Sequence, residues 1–134
     1  MRFSDHSLSL LYTCHPDLVR LMTEAIADPA CPHDFSIECG ARSIAQEAED
    51  IRTGASRLRD PNDCYHCHHP SDAVDIAPWP VDWTPAGEPA FYALADHILA
   101  VASRLGIQVT SFALKYRWDL GHYQRVITPA PPSP

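Results

Sequence analysis

Asp75 stands in the apolar run Ala73-Val74-Asp75-Ile76-Ala77. An ionised carboxylate is costly there unless it is paired, bound to a metal, or turned to a solvated face. His68 lies seven residues upstream in a turn-rich stretch that could fold back on it, and His122 opens another segment near the C-terminus. Two imidazoles and one carboxylate suit Zn²⁺ and leave a fourth position for water, as a hydrolytic zinc requires. Such a site also needs a carboxylate to take the water's proton, and Asp119, three residues before His122 in WDLGH, is available. Arg42 could hold a substrate carboxylate in bidentate fashion or face a developing oxyanion, and its plainer role is a surface ion pair. Gln46 follows one helical turn later on the same side, where it could equally serve only the helix cap.

The segment Asp63-Cys64-Tyr65-His66-Cys67-His68-His69-Pro70 concentrates further ligand types. Cys64-x-x-Cys67 has the spacing of half a structural zinc site; His66 and His69 could contribute to it, but no second paired knuckle occurs elsewhere. It also has redox-motif spacing, without the strand-then-helix setting of a thioredoxin-like site. The expectation is a local disulfide or free thiols, outside the catalytic metal. Five cysteines, at 14, 31, 39, 64 and 67, cannot all pair within one chain.

The elements that must hold these residues read as α+β, a small antiparallel sheet packed with about three helices. His15-Pro16-Asp17 opens a helix in which Leu18, Leu21, Met22, Ala25 and Ile26 share a face, ended by Pro29 and Pro32. Phe35-Ser36-Ile37-Glu38-Cys39 alternates like a strand. Ser43 caps a second helix, with Gln46 completing a capping box, Ile44, Ala48 and Ile51 lining one side, and Gly54 at its end. Residues 55–72 form a long polar loop of the kind that carries function. Residues 73–77 read as a strand. After the irregular stretch PWPVDWTPAGEP a third helix runs from about Pro89 to Leu105, stopped by Gly106. Strands are expected over 107–114 and 122–128. One domain spans 1–128, and the Pro-rich tail 129–134 is expected to be disordered or polyproline II.

The 134-residue chain is long enough to bury a core without disulfides. A net charge of −7 argues against a nucleic-acid binder, and no apolar run is long enough for a membrane span. The N-terminus lacks the long apolar stretch of a signal peptide.

The order of these motifs resembles the M15 family of zinc peptidases, which includes D,D-carboxypeptidases, and is most similar to the small L-alanyl-D-glutamate peptidases used as phage endolysins. LLYTCHPDLVRLMTEAI resembles the family's opening helix, FSIECGARSIAQ its strand, Gly-x-Arg-Ser turn and glutamine, HHPSDAVDIAPWPVDW its His-x-x-Gly-x-Ala-x-Asp motif and aromatic segment, and WDLGHYQ its closing Asp-x-x-His. The resemblance implies one zinc ion per chain, with His68, Asp75 and His122 as ligands. It gives Asp119 the role of assisting the nucleophilic water, and Arg42 and Gln46 the role of binding substrate. The motif glycine is Ser71 here, and the serine two residues before the first ligand is His66. His66 and His69 compete for the first ligand position, so His68 rests on register with Ala73 and Asp75. The implied activity is hydrolysis of the L-Ala–D-Glu bond in the peptidoglycan stem peptide. The rival readings are D-Ala–D-Ala cleavage, an amidase, and a non-catalytic metal-stabilised interaction module. The expected setting is a monomer made in the host cytoplasm and acting on the wall after release, with virion delivery as the other route.

Overall fold

A computed structural model describes residues 1–127. Its elements run α1 (Asp5–Leu11), α2 (Pro16–Ala27), β1 (Phe35–Cys39), α3 (Ile44–Thr53), β2 (Ala73–Pro78), α4 (Glu88–Leu105), β3 (Val109–Ser111), α5 (Phe112–Tyr116) and β4 (His122–Arg125). The strands form one sheet in the order β1-β2-β4-β3, antiparallel throughout. The α+β architecture is as expected, with two more short helices than the sequence suggested. The tail at 129–134 lies outside the described residues.

Local chemistry accounts for most of the boundaries. His15 caps α2 by accepting the Asp17 N–H on Nδ1 at 3.0 Å, with Pro16 in the first turn. Ser43 caps α3 by accepting from the Gln46 N–H at 3.0 Å. Gly54 ends α3 at φ 82°, a conformation that costs glycine little. Two expectations fail. Residues 112–114, the end of the expected strand, belong instead to the helix at 112–116, because Ser111 ends β3 and caps α5 by accepting from the Leu114 N–H. The short helix α1 escaped notice because seven residues make too brief a periodic pattern. Its Ser7 Oγ accepts the Ile37 N–H at 3.0 Å, which ties it to β1.

Helices α2 and α4 pack together beneath one face of the sheet. Leu18, Leu21, Met22 and Ile26 meet Leu94, Ala95 and Ile98, with Ile37, Val74, Ile76 and Tyr123 of the strands closing the core. Burying this apolar surface is the main drive to fold. The opposite face of β2 and β4 carries Asp75 and His122, so the same two strands hold the core on one side and the polar site on the other. Gly121 allows the strands their approach: a Cβ there would lie 2.1 Å from the Ile76 carbonyl oxygen, whose own N–H donates to the Gly121 oxygen at 2.9 Å.

Candidate metal centre

Sheet register sets the site. Asp75 of β2 pairs with His122 of β4 on one side and with Cys39 of β1 on the other. Opposed side chains on a sheet face lie close enough to share a ligand. Cys39 reaches this face only through a bulge. Ile37 pairs with Ile76 in the core, and the register then shifts so that Cys39 opposes Asp75 rather than Val74.

The second imidazole at this face is that of His66, not the expected His68. His66 Nε2 lies 3.2 Å from Asp75 Oδ1, and its ring packs edge-on against that of His122 at 5.1 Å. The cause is local. The Arg42 N–H donates to the His66 carbonyl at 2.8 Å, pinning the one-turn 3₁₀ segment Tyr65–Cys67 beside the end of β1. The chain then leaves the site: the Ser71 N–H donates to Thr13 O, and the His15 N–H donates back to Ser71 O. His68 falls on this departing stretch, where it is paired through Nδ1 with Asp72 Oδ2 at 2.7 Å and stacked on Tyr65. Asp72 in turn accepts from Arg125 at 2.7 Å. Ser71, in place of the motif glycine, is fully buried and donates to the Ala73 carbonyl.

The protonation pattern shows why a cation fits. His66 Nδ1 faces the Gly40 carbonyl at 2.7 Å and must be the donor there. In the neutral ring Nε2 is then a bare lone pair aimed at a carboxylate oxygen, and it is buried with no hydrogen-bond partner. His122 repeats the arrangement: Nε2 is held by Gln124 Oε1 at 2.9 Å, which turns Nδ1 toward Asp75 Oδ1 at 3.0 Å. Three lone-pair donors converge, and only protons or a cation can hold them together. Without a cation, burial disfavours the His66 imidazolium, but Asp75 and Cys39 outweigh it and raise the group to about 10. Burial likewise opposes ionisation of Asp75, and the two imidazoles overcome it and hold the carboxyl well below the usual carboxylate range. Gly40 and Gln124 fix tautomer and ring orientation from outside, as the outer partners of metal-ligating histidines do. Cys39 Sγ, His66 and Asp75 also present ligand atoms within 4.8 Å of one another.

The other expected residues surround this point. Asp119 sits at φ 49° in the turn before β4, a left-handed conformation that aspartate tolerates better than most residues. Its Oδ2 is 3.9 Å from His122 Nδ1. Burial first, and the charge of Asp75 second, push its carboxyl up from the ordinary value. Arg42 donates to Glu47 Oε2 at 2.8 Å and lies 3.8 Å from Asp50. Gln46 does not join it: its amide is exposed and donates to Asp50 Oδ1 at 2.9 Å, so the reciprocal half of the expected capping box is absent. The expected inner face of α3 is corrected too. Ile44 and Ala48 are exposed and Glu47 is fully buried, because the pairing with Arg42 turns that side of the helix inward.

A groove of about 680 Å³ opens onto Asp75, His66, His122 and Asp119, with Arg42 and Trp118 in its walls. Arg57, also in its wall, stacks over Trp118 at 4.1 Å. A second pocket of about 380 Å³ shares Asp75 and Asp119 and adds Glu38, Asp82, Trp83 and Glu88. Sequence reasoning passed over Cys39, Glu47 and Gln124. Of these only Gln124 carried a signal, since it lies two residues after His122 on the same strand face.

Comparison with known proteins identifies what the chain is similar to. The family model for phage L-alanyl-D-glutamate peptidases matches residues 1–126. The L-alanyl-D-glutamate peptidase of Escherichia phage T5 is 32% identical over 111 residues, 81% of this chain and 77% of that protein. The crystal structure of the Serratia marcescens L-Ala D-Glu endopeptidase ChiX superposes with a TM-score of 0.72 at 28% identity, covering 94% of this chain and 90% of that one.

Proposed function

The chain belongs to the phage L-alanyl-D-glutamate peptidase family, and on that premise we propose that it hydrolyses the L-Ala–D-Glu bond of peptidoglycan stem peptides, using one zinc ion held by His66, Asp75 and His122. The observation that carries the metal assignment is the convergence of His66 Nε2, His122 Nδ1 and Asp75 Oδ1, which only a cation or added protons can hold together. The donor set of two imidazoles and a carboxylate is that of hydrolytic zinc. His68, which sequence register favoured, is committed to Asp72.

Zinc held there would polarise the scissile carbonyl and bring the pKa of a water molecule to about 7. Asp119 stands beside His122 to accept that proton on its carboxylate and to return it to the leaving amine. The upward push on its carboxyl moves it toward the range where a group both takes and gives protons. Arg42, held by Glu47, presents positive charge to the same groove, where it can offset a tetrahedral oxyanion or hold the free carboxylate of D-Glu. Arg57, stacked on Trp118, adds a second cation in the groove wall for an anionic stem peptide.

The test is digestion of purified peptidoglycan followed by mass spectrometry of the fragments. New N-terminal D-Glu is expected. Free D-Ala would instead support the carboxypeptidase reading, and a freed lactyl group an amidase. No release from any wall type would leave a metal-stabilised binding module.

A further inference from the structure

A second cluster of ligand atoms lies beside the metal centre and takes no part in it. Glu47, Cys64 and Cys67 are all buried, and a carboxylate oxygen and the two sulfurs lie within 4.8 Å of one another. Glu47 offers Oε2 to Arg42, while its Oε1 is buried with no hydrogen-bond partner. The two cysteines flank a single 3₁₀ turn, and the Cys67 N–H donates to the Cys64 carbonyl at 3.1 Å. Cys67 Sγ also points toward the Ser43 carbonyl at the start of α3, at 3.7 Å.

We propose that Glu47, Cys64 and Cys67 form a second metal site, which takes a thiophilic divalent cation such as Zn²⁺ and has a structural role. The Cys-x-x-Cys turn is half of a familiar structural zinc site. The sequence contains no second pair of that spacing outside this loop, and the fold supplies the third ligand from α3 instead. One position of a tetrahedron is left for water. On binding, each thiol gives its proton to solvent, and two thiolates, one carboxylate and a divalent ion leave one net negative charge. The Arg42 guanidinium, 2.8 Å from Glu47 Oε2, offsets it. The cation would satisfy the orphaned Oε1, which otherwise pays a desolvation cost with no bond in return.

The placement gives the site a purpose. His66 lies between Cys64 and Cys67 on a loop with little regular structure, and Arg42 hangs on the same Glu47. One ion at this cluster would fix the turn that carries a candidate catalytic ligand and the carboxylate that orients the groove arginine.

The test counts metals and needs no substrate, so it stands apart from the peptidase reading. Wild-type protein loaded with zinc should hold two equivalents, and X-ray absorption should show sulfur scattering at about 2.3 Å. Substitution with Co²⁺ should give a sulfur-to-metal charge-transfer band. H122A should lose one equivalent and keep the band, whereas E47Q and the double variant C64S/C67S should each lose the other equivalent and the band with it. A single equivalent in wild type that gives no sulfur-to-metal band, or a band that vanishes in C39S and survives in C64S/C67S, would overturn the proposal. An intact mass showing a Cys64–Cys67 disulfide in zinc-loaded protein would do the same. Should the double variant fail to fold, alkylation of wild type decides: Cys64 and Cys67 must be protected with zinc present and labelled after chelation, and labelling that ignores zinc refutes the site.

Discussion

Replacing His66 and His68 separately, each by alanine, tests the metal assignment most directly, because register and geometry name different residues. In the structure His68 is more than a third exposed and its partner is Asp72, already bound by Arg125. Losing an exposed pair of that kind costs about 0.2–1 kcal/mol, and no ligand atom leaves the metal-binding face. H68A should therefore keep its zinc and melt close to wild type. H66A removes one of the three proposed ligands and a buried ring held at Nδ1 by the Gly40 carbonyl. Loss of an outer partner alone weakens metal binding roughly 10- to 100-fold, so loss of a ligand should exceed that range. Where metal is near saturating, a 100-fold loss of affinity removes about 2.7 kcal/mol of metal-linked stability, or several degrees in Tm for a chain of this size. The assay is elemental analysis together with thermal unfolding with and without a chelator. Wild type and H68A should hold the same zinc and show the same fall in Tm with chelator, whereas H66A should hold one equivalent less and show a smaller fall. Full zinc in H66A with one equivalent missing from H68A would refute the argument from converging lone pairs and restore the register reading.

D119N should stay folded, keep its metal, and lose at least about 100-fold in activity on stem peptide, since it removes a proton acceptor and no ligand; wild-type turnover in this variant would remove Asp119 from the mechanism. Q124L frees His122 Nε2 and should weaken metal binding roughly 10- to 100-fold by competition titration, with an unchanged affinity counting against the outer partner. G121A forces a Cβ against the Ile76 carbonyl and should cost about 1–3 kcal/mol in denaturant unfolding. Burial raises the Asp72 carboxyl, but hydrogen bonds from Arg125 and His68 outweigh that and hold it below its ordinary value. Its contribution is thus complete above the unfolded value near about 4 and is lost as pH falls through the lower folded value. D72N should be less stable than wild type at pH 7, and the gap should narrow in acid; a gap that widened below pH 4 would contradict the pairing.

Wherever one residue answers to its immediate neighbours, the chain alone determined the outcome. The caps at His15 and Ser43, the stop at Gly54, the alternation of β1 and the apolar stripes of α2 and α4 follow from local hydrogen bonding and periodicity, and all are present. Asp75 was legible as a candidate ligand because a carboxylate in an apolar strand needs a reason, and His122 because it completes a motif with Asp119. Tertiary structure decided the rest, through contacts between segments far apart in sequence. The placement of His66, rather than His68, beside Asp75 depends on the Arg42 N–H that pins its carbonyl and on the Gly40 oxygen that fixes its tautomer, 26 residues away. Cys39 joins the metal-binding face only because a bulge turns it from the side that periodicity assigns. Glu47 is buried, against the expected apolar stripe of α3, because Arg42 on the preceding loop offers a charge that an isolated helix lacks. Residues 112–116 became a helix because β3 ends at Ser111, whose hydroxyl is then free to cap. Periodicity describes one element at a time, whereas register, bulges and long-range ion pairs arise only when elements meet.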